Sequence, residues 1–146
     1  MITQPDGSED VRRLFHEHVP ALANGIVEIV AIARERGRRS MLAVYSSDHS
    51  VDPIGSCVGL RGEHVKSVMQ QLSGEYIDIV RWSESVEDFI RDSLAPAVVR
   101  SIALDETGRH ATVKLDSNRS NGYLLDPIRL RLASKVTGWE LQIVEI

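Results

Sequence analysis

Val65, Val68, Met69 and Leu72 recur at helical spacing, with His64, Lys66, Ser67, Gln70 and Gln71 on the opposite side. The pattern predicts an amphipathic helix over residues 63–72, one face of it in a core. Ser73 and Gly74 stop that helix, and Tyr76, Ile77, Ile79 and Val80 follow as a strand. Upstream, residues 26–33 are β-branched or small and read as a strand, Gly37 suits a bend, and residues 41–45 read as the partner strand. The polar run SSDHSVDPIG ends that hairpin, and residues 54–58 form a short helix leading into Gly59-Leu60-Arg61-Gly62. At the start, Ser8 is expected to cap a helix with Glu9 and Asp10 in its first turn, Val11, Leu14 and Phe15 facing inward, and Pro20 closing it. Residues 1–7 are expected to be a disordered tail.

The order helix, strand, strand, short helix, loop, helix, strand recurs in the second half. Phe89, Ile90 and Leu94 predict a helix ended by Pro96, residues 98–104 and 110–115 predict two strands around a turn, and a helix and a strand close the unit. Gly74 followed by residues 75–80 resembles Gly138 followed by residues 139–144, each after an amphipathic helix that ends in Ser-Gly or Thr-Gly. The expected fold is α+β: two tandem αββααβ units, each a three-stranded sheet covered by helices, over residues 8–82 and 83–146.

Composition agrees and narrows the function. At 146 residues the chain has room for two small domains of about 65 residues. Nothing approaches the roughly 20 consecutive apolar residues of a membrane span. The start MITQPDGSED has neither a basic nor an apolar leader segment, so the cytoplasm is expected. Cys57 is the only cysteine and His16, His18, His49, His64 and His110 are scattered, which excludes an intramolecular disulfide and any zinc-ligand spacing. Cys57 reads as a small packed residue. The net charge of −4 argues against indiscriminate coating of nucleic acid. Residues 25–82, with seven basic and seven acidic side chains, are locally neutral, so a polyanion contact belongs there first. Within them, Arg34, Arg36, Arg38 and Arg39 read as a solvated hairpin tip, with an auxiliary polyanion contact as the alternative.

The two glycines around Leu60-Arg61 allow unusual backbone angles and close approach of another backbone, and the helix that follows offers N–H groups to an anion. A G-x-x-G tetrapeptide alone is a weak signal. No enzyme constellation competes with it: Glu87-Asp88 and Asp105-Glu106 are neighbours in sequence and point apart, and no Walker loop or metal spacing occurs. No catalysis, cofactor or metal is expected. Trp82 and Trp139 sit at strand margins and read as packing residues.

A G-x-x-G loop between two helices packed on a three-stranded sheet resembles a type II KH domain. The runs VDPIGSCVGLRGEHVKSV, GEYIDIVRWSE, LAPAVV, RLAS and TGWELQIV are similar to the paired KH region of the bacterial transcription elongation and termination factor NusA, over residues 8–146. The resemblance implies single-stranded RNA as partner, in transcription elongation, termination or antitermination. RNA polymerase or other transcription factors would be further partners, with no membrane and no small-molecule substrate. In the KH mode the loop clamps the backbone of about four nucleotides. Gly59 and Gly62 would then permit close approach, Leu60 would pack on sugar or base, and Arg61 would pair with phosphate. Lys66, one turn on, would add a phosphate contact, and His64 would do so when protonated. The full-length factor carries polymerase-binding and OB-type domains ahead of its KH pair, and this sequence contains neither, so either a shortened relative or a piece of a longer factor is expected.

The second copy departs from the family. Where a G-x-G-G loop belongs, Gly122 is followed by Tyr123-Leu124-Leu125-Asp126-Pro127. Asp126 suits the N-cap and Pro127 the first helical position, so a carboxylate takes the anion site. Only the first copy is expected to grip RNA in the usual way, with Arg129 and Arg131 supplying at most residual phosphate affinity. The alternative is a KH scaffold used for protein contacts, with little RNA affinity. The intact GLRG favours RNA, because each glycine costs about 0.5–1 kcal/mol in ordered structure.

Overall fold

Val11, Leu14 and Phe15 share one face of α1 (Ser8–His18) and are buried in the computed structural model, which describes residues 6–117, 119 and 125–145. Gly7 rather than Ser8 holds the N-cap position, at a left-handed φ of 87°. The Asp6 carboxylate accepts from the backbone N–H of Ser8 at 2.9 Å and of Arg34 at 3.1 Å. Asp6 and Gly7 are thus anchored where the sequence suggested a disordered tail; the partner that holds them is distant in the chain and invisible to local composition. Residues 1–5 lie outside the described residues. Pro20 opens a helical turn, α2 (Pro20–Ala23), in place of closing a segment, since its fixed φ and missing N–H suit the first helical position.

β1 (Glu28–Glu35) and β2 (Arg39–Tyr45) form an antiparallel hairpin with a bulge between Ile29 and Ala31. β2 also pairs in parallel with β3 (Tyr76–Arg81), giving the order β1-β2-β3. A parallel neighbour requires a crossover, which α3 (Pro53–Val58) and α4 (Glu63–Gln71) supply. Leu42 and Val44 of β2 and Ile77 of β3 join Val11, Leu14, Phe15, Cys57 and Val68 in one core.

The second unit repeats the plan: α5 (Val86–Leu94), β4 (Val99–Asp105), β5 (His110–Leu115), α6 (Pro127–Thr137) and β6 (Glu140–Glu145), in sheet order β4-β5-β6. β4 and β5 are antiparallel, β5 and β6 parallel, and a bulge recurs between Val99 and Ser101. The second short helix expected from the repeat would fall between β5 and α6, and that expectation lies outside the described residues, which there lack 118 and 120–124. The chain divides into two compact units, residues 1–82 and 83–146, each an α+β layer of helices on a three-stranded sheet. Among the described residues no helix is long and apolar enough to cross a membrane.

In each unit a hairpin arginine meets the residue after the glycine that follows the last helix, though from different positions: Arg34 stands on β1 and Arg109 in the turn between β4 and β5. Glu75, after Gly74, takes the Arg34 guanidinium in a two-pronged bond of 3.0 and 2.6 Å. Trp139, after Gly138, lies under the Arg109 guanidinium at 5.4 Å, and Arg109 Nε donates to the Gly138 carbonyl at 3.0 Å. The basic cluster is therefore only partly a solvated tip. Arg34 is 8% exposed, Arg39 is clamped by Asp78 and stacked 5.2 Å over Tyr76, and only Arg36 and Arg38 stand in solvent. Arg129, assigned residual phosphate affinity from sequence, is buried and its Nε donates to the Ser93 carbonyl at 3.2 Å, because its place on α6 faces α5.

Candidate nucleic-acid interface

Asp52 starts the segment by accepting the Ile54 N–H at 3.1 Å, with Pro53 at the first position of α3. Cys57 and Pro53 face inward, and the Gly59 N–H closes the helix on the Gly55 carbonyl at 2.9 Å. Gly59 then takes φ 81° and ψ 168°, a region open essentially to glycine alone. A Cβ there would lie 2.4 Å from Cδ2 of His64 and 3.0 Å from the His64 backbone nitrogen, so glycine is required twice over.

Leu60, Arg61 and Gly62 make a single 3-10 turn in which the Gly62 N–H donates to the Gly59 carbonyl at 3.0 Å. Arg61 (φ 56°) and Gly62 (φ 75°) are both left-handed. Only from Glu63 does the chain become α4, and no side chain caps its start. Leu60 is 76% exposed, and Arg61 and Lys66 are exposed as well. The structure thus brings Gly59, Leu60, Arg61, Gly62, His64 and Lys66 to one end of the first unit. His64 is half-buried against Gly59, and Lys66 Nζ donates to the Arg61 carbonyl at 3.0 Å.

Such an end can receive a phosphate: the start of α4 carries no side-chain cap and the exposed Arg61 cation stands beside it. The corresponding end of α6 is built differently. Asp126 accepts the Ile128 N–H at 2.8 Å with Pro127 next, so a fixed carboxylate stands at that helix start, while Gly122, Tyr123 and Leu124 lie outside the described residues. The Arg36 to Arg38 turn is not part of the loop region. Parallel pairing sets Arg39 beside Tyr76, which places that turn at the C-terminal end of α4, away from the loop. The tryptophans are occupied in packing: Trp82 meets Tyr45 edge-on at 5.3 Å, and Trp139 is buried beneath Arg109.

Sequence reasoning missed the left-handed Arg61, the His64 ring under Gly59 and the lysine bond to the loop carbonyl. The single signal for them was the spacing of His64 and Lys66 behind the glycines. Burial, then the charge of Asp52, raises the Cys57 thiol to about 11. Native Cys57 should accordingly react with iodoacetamide near pH 8 about a hundredfold more slowly than in the unfolded chain, where the thiolate is far more populated. Equal rates in a mass-spectrometric time course would contradict its place in the core.

A family model described as the NusA-like first KH domain matches residues 7–82. A protein of Thermus thermophilus named transcription termination/antitermination protein NusA is 43% identical over 136 residues, 92% of this chain and 35% of that protein. Proteins of the same name from Rickettsia prowazekii (40%; 90% of this chain, 27% of that protein) and Bacillus subtilis (39%; 91% and 36%) are also similar. The chain spans about a third of the length of these curated relatives. The crystal structure of the protein APE1850 covers 99% of this chain and all of its own at a TM-score of 0.61 and 18% identity, a likeness of fold alone.

Proposed function

The chain belongs to the family of NusA-like KH proteins, and from that premise we infer that its first unit holds single-stranded RNA through Gly59, Leu60, Arg61 and Gly62, with His64 and Lys66 behind them. The observation that carries this reading is the start of α4, free of a side-chain cap, behind two glycines of positive φ, with Leu60 and Arg61 turned to solvent. An RNA phosphate can approach that helix pole, Arg61 supplies a planar donor fork, and Leu60 offers an apolar surface to sugar or base. The curated relatives are named for transcription termination and antitermination. We carry that role to this chain as an RNA-binding, non-catalytic function in the cytoplasm, with RNA polymerase or other transcription factors as protein partners.

The second unit takes no equal part, because the Asp126 carboxylate would meet an incoming phosphate as a like charge. The test is binding of a pool of short single-stranded RNAs at low and moderate salt. Affinity should fall as salt rises, with a log–log slope of about −0.7 per phosphate engaged. Asp126→Gly/Pro127→Gly should hold or gain affinity. Absence of salt-sensitive binding by the wild type would transfer the scaffold to protein contacts, and loss of binding in the Asp126→Gly/Pro127→Gly variant would give the second unit a share of the grip.

A further inference from the structure

The side chains behind the loop suggest a division of labour within the site proposed above, and the inference rests on that reading. We propose that His64 and Lys66 are positioning residues: they hold the GLRG loop in its binding form before RNA arrives, and leave contact with RNA to the Leu60 and Arg61 side chains and the glycine backbone.

Two geometric facts point the same way. Lys66 Nζ donates to the Arg61 carbonyl at 3.0 Å, five residues back along the chain. Arg61, at φ 56°, is a residue with a Cβ held in the left-handed region, which such residues enter only when their surroundings fix them. A donor on its carbonyl fixes the orientation of that peptide. On the other side, the His64 ring fills the space that Gly59 leaves by lacking a Cβ, with Cγ at 2.7 Å and Cδ2 at 2.4 Å from where that atom would stand. Both supports rise from the first turns of α4, whose Val68 is fully buried in the core. The loop is therefore braced from a rigid helix on both flanks, and a braced loop loses less freedom on binding.

The experiment uses the full chain. Nitrogen-15 relaxation of the RNA-free protein should give a backbone order parameter near about 0.85 at Arg61 and Gly62, below about 0.6 in Lys66→Met, and restored in Lys66→Arg. Order unchanged in Lys66→Met overturns the proposal. Gly59→Ala should lower the unfolding midpoint less in a His64→Ala background than alone; equal drops remove His64 from the bracing. Against the same RNA pool, Lys66→Met should bind roughly tenfold more weakly with the wild-type salt slope. A slope smaller by about 0.7 would mark Lys66 as a phosphate ligand and overturn its assigned role. If the wild type binds no RNA, the function proposed above falls, while the order parameters and the midpoints still decide whether the loop is braced.

Discussion

Replacing Leu60 and Arg61 together by Asp is expected to weaken binding of short single-stranded RNA by about a hundredfold or more and to leave the unfolding transition of the protein where it was. Two acidic side chains would face the phosphates in place of one cation and one apolar surface, and each lost or reversed charge-assisted contact is worth about 1.5–3 kcal/mol. The fold should be indifferent because Leu60 and Arg61 are exposed and belong to no core cluster. Asp also tolerates the left-handed conformation that position 61 requires (φ 56°) better than most residues. The measurement is a fluorescence anisotropy titration beside a thermal melt. Undiminished affinity in a folded variant would remove the loop from the RNA site. A collapsed melt would show instead that the loop is a structural element.

The largest effect on stability is expected at Arg34. Its guanidinium is 8% exposed, bonded on two prongs to the 6%-exposed Glu75, and it also donates to the Gly7 carbonyl at 2.9 Å. Arg34→Met should destabilise the first unit by about 3–5 kcal/mol, because it strands a buried carboxylate. Arg34→Met/Glu75→Met should recover much of that, since an apolar pair removes the uncompensated charge. Chemical denaturation of the three variants decides the matter, and a double variant as unstable as the single would mean that the backbone bonds of Arg34 and Glu75 to the Gly7 carbonyl and Gly37 N–H matter more than the charge.

The same pair sets a pH dependence. Burial raises the Glu75 carboxyl, but the Arg34 hydrogen bonds, the Gly37 N–H and the charges of Arg34 and Arg36 outweigh it and hold its pKa below the ordinary 4.5. A carboxyl depressed in the folded state favours folding in its ionised form. The stabilisation is complete above the unfolded-state value and is lost as pH falls through the lower folded-state value. Denaturation midpoints should therefore drop in acid for the wild type, and Glu75→Gln should flatten that limb.

α4, β3 and the α+β repeat were legible in the sequence because their information is local. Val65, Val68, Met69 and Leu72 report a helical face, alternation in residues 76–80 reports a strand, and the return of the same order after 64 residues reports a second unit. The Gly59 to Gly62 spacing and the Asp126-Pro127 start of α6 were equally readable, since caps and glycine turns are decided within a few residues of themselves.

The fates of the arginines were not local. Arg34 and Arg39 stand in one basic run and look alike in sequence, yet their partners Glu75 and Asp78 lie across the sheet, 41 and 39 residues on. Arg129 differs from Arg131 only in which side of α6 it occupies, and that side is buried. Asp6 and Gly7 are ordered for the same kind of reason, through Arg34. Sequence by itself determined the strands, the helices other than α2 and their order, the glycine loop and the carboxylate at the second helix start. Only the tertiary structure decided which charges are buried, which backbone carbonyl Lys66 holds and what fills the space beside Gly59. Those outcomes depend on distances between residues that become neighbours when the sheet and helices close on one another, and no periodicity or composition along the chain encodes them.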